Sequence, residues 1–212
     1  MTNPKSTNIT KVVPKVDRAR REENLGQHGV TVWLTGLSAS GKSTIAVLAD
    51  KILTDRGHHC CVLDGDNIRR GLNSDLGFSP KDRNENIRRI GEVARLFSSH
   101  GLITLTAFIS PYRADRNRNR DIHEDGDFIE VFVDCPLEVC EARDPRGLYA
   151  KARAGTIPEF TGVSAPYEPP LNPEIVLRTH AESEEESAAR LVDFLAERGY
   201  LSTSGTEPQV SG

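Results

Sequence analysis

The sequence predicts an α/β fold, a five-stranded parallel sheet with helices on both faces. Three observations predict it. Short β-rich runs alternate with segments of helical spacing along the chain, the order that places parallel strands side by side with crossover helices between them. The run over residues 102–109 is almost wholly apolar, as a strand covered on both sides must be. A glycine- and serine-rich loop joins the first β-rich run to the first helix.

Taken in order, residues 1–28 are expected to be a flexible arm. They have no apolar stretch of the kind a secretory signal needs, and end in a polar entry at residues 16–23 that is compatible with helix. Residues 30–35 form the first strand. A helix follows over residues 42–56 and stops at Gly57. Residues 60–63 are a second strand. Residues 82–100 carry Ile87, Ile90, Val93, Ala94 and Phe97 at helical spacing and stop at Gly101. Residues 102–109 are the third strand, 128–133 the fourth and 174–177 a shorter fifth. A last helix covers residues 182–198. The chain divides accordingly into the arm, a domain over residues 29–200 and a disordered Ser/Thr/Gly-rich tail over residues 201–212. Between residues 143 and 173 the alternation breaks. That stretch is rich in Gly and Pro and dotted with charge, and a mobile lid over about residues 143–170 is the usual use of such a segment.

Composition narrows the function. The 212 residues suffice for one domain with a core of its own. No apolar run is long enough to span a membrane. The net charge of −4 argues against a general nucleic-acid binder. Cys60, Cys61, Cys135 and Cys140 lack metal-site spacing and read as small buried thiols in a reducing, cytoplasmic setting.

Gly36, Leu37, Ser38, Ala39, Ser40, Gly41, Lys42, Ser43 and Thr44 match the pattern G-x-x-x-x-G-K-[ST] in the required context, strand before and helix after. The glycines let successive N–H groups face one anion, and the helix N-terminus adds its positive end. Lys42 is placed to reach the β- and γ-phosphates of ATP, and the Ser43 hydroxyl to ligate Mg²⁺. The fold is therefore expected to be a P-loop NTPase three-layer sandwich. At the end of the second strand stand Asp64 and Asp66. One suits Mg²⁺ and the other a proton from an attacking hydroxyl; Asp134, after the fourth strand, is the rival metal ligand. Arg69 and Arg83 lie in a loop setting that suits a substrate with phosphate or sulfate groups, while Arg88 and Arg89 are equally a solvated face. Phe78 suits stacking on a base, or the core. Ser110 suits contact with the acceptor, phosphorylation or a helix N-cap. Arg116 to Arg120 read as a solvated helix face.

In that order, the loop at 36–44, DGDNIRRGLN at 64–73, DLGFS at 75–79, DRNENIR at 82–88, FISPYR at 108–113, RDPRGLY at 143–149, KAR at 151–153, FTG at 160–162 and PYE at 166–168 resemble the adenylylsulfate kinase (APS kinase) family in its stand-alone form, over roughly residues 15–200. The loop is common to many proteins; the runs at 64–73 and 143–168 are far more specific. The resemblance implies transfer of the γ-phosphate of ATP to the 3′-hydroxyl of adenosine 5′-phosphosulfate, in sulfate assimilation. It implies Arg69, Arg83 and Asn86 on the phosphosulfate, Phe78 and Phe160 around its adenine, and Ile109 and Ser110 in the same pocket. Lys151 would point at anions from the lid, Arg143 would contact the ATP adenine, and Ser110 is the family's proposed phosphoserine. It further implies a homodimer and a functional link to sulfate adenylyltransferase. Ala39 stands where many members have Gly, and Arg146 where Lys is frequent. The alternatives are a P-loop kinase of another small hydroxyl compound and a catalytically silent nucleotide-binding regulator.

Overall fold

The computed structural model describes residue 10 and residues 14–202. Five strands, β1 (Val30–Thr35), β2 (Cys60–Asp64), β3 (Ile103–Ala107), β4 (Phe128–Asp134) and β5 (Ile175–Arg178), form one parallel sheet in the order β2-β3-β1-β4-β5. The helices are α1 (Arg18–Leu25), α2 (Lys42–Asp55), α3 (Gly65–Arg69), α4 (Pro80–Ser98), α5 (Arg113–Asp121), α6 (Leu137–Arg143), α7 (Leu148–Arg153) and α8 (Glu184–Glu197). Among the described residues no helix is long and apolar enough to cross a membrane.

The two-residue repeat of β1 divides the core. Val30, Val32 and Leu34 face α2 and α8, packing on Ile45, Ala49, Leu191 and Leu195. Trp33 points the other way, toward Ile87, Ile90 and Ala94 of α4, stacked between Phe108 and Phe128 with centroids 6.0 and 5.7 Å away. The result is the expected three-layer sandwich. The helix after β1 covers one face, and α4 and α5 cover the other. The carboxyl ends of the adjacent strands β1 and β3 thus open onto a topological switch point, where ligands bind in such sheets.

Local chemistry explains the ends. Ser79 caps α4 by accepting from the Asp82 N–H, with Pro80 in the first turn, and Ser183 and Glu186 form a reciprocal capping box on α8. In contrast, α2 starts at Gly41 with no side-chain cap, so its first N–H groups are left facing the loop before it.

Several expectations change. Arg69 and Arg83 belong to α3 and α4, not to loops, because Asp64 and Ser79 cap those helices early. The 143–173 stretch is not wholly irregular: it contains α7, and its Tyr149, Ala152 and Phe160 pack with Cys135 and Cys140 into a small apolar cluster. Cys60 and Cys61 are only half-buried, while Cys135 and Cys140 are buried. Arg116 and Arg120 are no solvated face. Arg116 is buried on Glu130, and Arg120 forks onto Glu174. The last part of the expected arm, residues 17–28, is tied to the body: Arg18 binds the Asp127 carboxylate and the Gly29 carbonyl, and Gln27 is 2% exposed. Leu201 bridges to Gln27, so the body reaches into the tail expected over residues 201–212, and the rest of that tail, residues 203–212, lies outside the described residues.

Candidate functional site

The loop after β1 is shaped by close approach. Gly36 has φ 157°, and a Cβ there would lie 2.5 Å from the Val133 carbonyl oxygen. Gly41 adopts φ 102° and Ala39 φ 57°, a left-handed conformation that suits glycine better. Lys42 is 7% exposed, with Nζ donating to the Leu37 carbonyl at 2.5 Å. Burial pushes its ammonium down to about 8 against the opposing pull of nearby acidic groups. Three outside elements steady the loop. Thr179 Oγ1 donates to the Ser40 carbonyl at 2.8 Å, and Tyr149 of α7 donates to the Ser38 carbonyl at 3.0 Å. Leu37 touches Gly162, where a Cβ would come within 3.0 Å.

Across from the loop, the Ser43 hydroxyl donates to Asp64 Oδ2 at 2.6 Å, and the other Asp64 oxygen accepts from the Asp66 N–H at 3.0 Å. Ser43 thus turns to Asp64 rather than to Asp134. Hydroxyl and carboxylate oxygens side by side beside Lys42 are a donor set that suits a hard cation such as Mg²⁺. Among the described residues there is no group of three or more His, Cys, Asp or Glu side chains that could hold a metal ion. The Asp66 carboxylate is bound by Arg146, which stands between α6 and α7. Asp64, Asp66, Arg69, Arg70, Phe78 and Arg146 line an open groove of about 590 Å³.

Arg69 in the groove and Arg83 beside it are held by backbone carbonyls. Arg69 donates to the Leu76 and Gly77 carbonyls at 3.1 and 2.9 Å, with its guanidinium 4.5 Å from the Phe78 ring centre. Burial, then the neighbouring Arg83, push its pKa down. Arg83 reaches the Phe78 carbonyl at 2.9 Å, the Glu159 carbonyl at 2.7 Å and Thr161 Oγ1 at 3.2 Å. It therefore clips together the two segments that carry Phe78 and Phe160. The two rings differ, however. Phe78 is 69% exposed, whereas Phe160 is 8% exposed and packs edge-on against Tyr149 at 5.1 Å. Asn86 is buried and accepts from Asn73 Nδ2 at 3.0 Å, and the Asn73 oxygen is buried with no partner.

Ser110 follows β3 with φ 40° and 2% exposure. Its Oγ accepts from Trp33 Nε1 at 3.0 Å and donates to the Phe108 carbonyl at 3.3 Å. It is not an N-cap, since α5 starts after Tyr112 without a side-chain cap. The Ile109 carbonyl accepts from Thr35 Oγ1 at 2.7 Å. Arg143 binds the Thr179 hydroxyl and carbonyl, one residue removed from the loop's Ser40. Lys151 is exposed on α7, apart from these contacts, and Thr44 is exposed in the first turn of α2. Sequence reasoning missed Tyr149, Thr179 and the grip of Arg146 on Asp66. Arg146 and Tyr149 left a signal in the RDPRGLY run at 143–149, whereas Thr179 left none.

A family model described as adenylylsulphate kinase matches residues 28–178. The chain is similar to an adenylyl-sulfate kinase of Staphylococcus haemolyticus, 53% identical over 92% of this chain and 98% of that protein. It is also similar to one of Penicillium chrysogenum, 54% identical over 92% and 97%. Among solved structures it resembles the Mycobacterium tuberculosis APS kinase in complex with AMPPNP and APS. That match has a TM-score of 0.77 and 50% identity, over 80% of this chain and 99% of that one.

Proposed function

The chain belongs to the adenylylsulphate kinase family, and on that premise we propose a division of labour among the residues of the site. It is an ATP-dependent phosphotransferase with an alcohol acceptor, moving the γ-phosphate of ATP onto the 3′-hydroxyl of adenosine 5′-phosphosulfate to give 3′-phosphoadenylyl sulfate and ADP.

Residues 36–44 bind the triphosphate through backbone N–H groups and the uncapped start of α2. Lys42 sets its charge against the β- and γ-phosphates, and Arg143 lies near the ATP adenine. Ser43 and Asp64 would hold Mg²⁺, Asp64 through water; the ion neutralises charge on the phosphates. Asp66 orients the acceptor hydroxyl and takes its proton. Arg69, Arg83 and Asn86 serve the phosphosulfate, Phe78 and Phe160 the acceptor adenine, Ile109 and Ser110 the pocket wall, and Lys151 the anions under the lid. The Ser110 hydroxyl is held by Trp33 and Phe108, which favours direct in-line transfer over a phosphoserine intermediate. The observation that carries this reading is the Ser43–Asp64 contact at 2.6 Å, with Asp66 anchored on the same carboxylate beside a groove walled by arginines. A cytoplasmic setting accords with four free thiols. The homodimer and the supply of acceptor by sulfate adenylyltransferase follow from the family resemblance.

The test is ADP release with ATP, Mg²⁺ and adenosine 5′-phosphosulfate, run beside other hydroxyl acceptors and beside Asp66→Ala. Turnover with the phosphosulfate alone, reduced about 10²- to 10⁴-fold in the variant, is the expected result. Undiminished turnover in Asp66→Ala would remove that carboxylate from the chemistry. Binding of both nucleotides without turnover would leave a regulatory module.

A further inference from the structure

Arg116 lies in α5 with 1% of its surface exposed, and every arm of its guanidinium is engaged. Nε donates to Glu130 Oε1 at 2.6 Å, Nη1 to the Ser110 carbonyl at 2.6 Å and Nη2 to the Glu168 carbonyl at 2.7 Å. Its counter-ion Glu130, in β4, is 7% exposed. A desolvated pair of this kind adds little stability over apolar side chains of the same volume, so its value lies in the geometry it imposes.

The geometry concerns the end of β3. Ser110 is held in the left-handed region, at φ 40°, which a side-chain-bearing residue seldom adopts. Donors from two other elements converge there: Trp33 Nε1 on the Ser110 hydroxyl, Thr35 Oγ1 on the Ile109 carbonyl and Arg116 Nη1 on the Ser110 carbonyl. A strained residue persists only where its surroundings over-determine it, and ligand clamps are where such residues gather. The third arm of Arg116 reaches the far end of the lid. There the Glu168 N–H donates to the Pro111 carbonyl at 2.9 Å, and the Glu168 carboxylate accepts from the Arg113 N–H at 2.8 Å. One guanidinium therefore joins the strand end at residues 109–113 to the lid end at residues 166–168.

We propose that Arg116 is a positioning residue for the acceptor nucleotide, holding the backbone of residues 109 and 110 in its strained shape and docking the end of the lid against it. Its hydrogen bonds reach neither the loop at residues 36–44 nor Asp64 and Asp66, so its influence is expected on the acceptor and not on ATP. The proposal rests on the reading that Ile109 and Ser110 line the acceptor pocket.

The experiment measures KM for adenosine 5′-phosphosulfate, KM for ATP and kcat in wild type, Arg116→Lys and Arg116→Gln, with thermal melting as the check on folding. The expected result is an acceptor KM raised about tenfold in Arg116→Lys, and further in Arg116→Gln, with the ATP KM within about twofold of wild type. A folded Arg116→Lys with an unchanged acceptor KM, or with both KM values raised alike, overturns the proposal. If neither variant folds, Trp33→Phe decides, because it keeps a ring between Phe108 and Phe128 and removes the donor to Ser110, with thermal melting separating any loss of packing. A raised acceptor KM with unchanged ATP KM supports the proposal, and no rise overturns it. Absence of phosphosulfate turnover in wild type would instead sink the acceptor reading itself.

Discussion

Lys42 combines two demands that oppose each other. In the proposed reading its ammonium meets phosphate charge, yet it is buried, and burial lowers its pKa from 10.5 to about 8. The sign follows from linkage. The folded chain holds the proton less tightly than the unfolded one, so Lys42 costs stability at neutral pH, and the cost fades as pH rises from about 8 toward 10.5. Activity runs the other way, because the charged form is the useful one. kcat/KM for ATP should fall as pH passes about 8, whereas kcat should hold to higher pH because bound phosphate keeps the lysine charged. A kcat/KM profile flat across that window would show that the free enzyme keeps Lys42 protonated. Phe160 shows how a ring suited to stacking can be under cover: it is packed against Tyr149, while Phe78 stands open.

Among the elements, α5 departs furthest from the usual pattern. Its sequence, RADRNRNRD, has one alanine and no larger apolar side chain, yet Asp115, Arg116 and Asn119 are buried. Their spacing is helical, but polar groups form the face, so each needs a partner when it enters the interior. Asn119 Nδ2 donates to the Ile87 carbonyl of α4 at 3.0 Å, and α4 admits it because residue 91 is glycine. A Cβ on Gly91 would lie 2.2 Å from the Asn119 amide oxygen and 2.4 Å from its Cγ. Gly91→Ala gains about 1 kcal/mol of helix propensity but overpacks this contact at a cost of about 1–3 kcal/mol. Net destabilisation, read as a lower urea midpoint at unchanged m-value, is the expected outcome. A variant more stable than wild type would mean that α5 shifts freely against α4.

For the whole molecule, the two ends of the described chain close on one another. Gln27 donates to the His59 and Gly101 carbonyls, each at 2.7 Å, and accepts from the His59 N–H, while His28 and Ser202 exchange backbone bonds with Tyr200 and Gly26. Arg18 fastens α1 to the turn before β4 through Asp127. Because the Arg18 side chain is 24% exposed and partly screened, Arg18→Ala should cost about 1–2 kcal/mol, read by denaturant unfolding, with kcat unchanged. Loss of activity without loss of stability would place α1 in the catalytic cycle instead. Strand and helix order, the phosphate loop and the two aspartates were legible in the sequence. Period, glycine spacing and motif are written between near neighbours, and a strand-loop-helix unit shapes itself from them. The burial of Arg116, the two segments clipped by Arg83, the cover over Phe160 and the grip of Arg146 on Asp66 were not. Each depends on a partner brought near by the sheet order, as when Tyr149 reaches Ser38 across 111 residues. A charged side chain goes inside only when such a partner is already there, and local pattern carries no record of which partner that will be. The sequence alone therefore determined the scaffold and its phosphate loop, while the tertiary structure decided which polar groups face the groove, which are held by distant partners and which are merely covered.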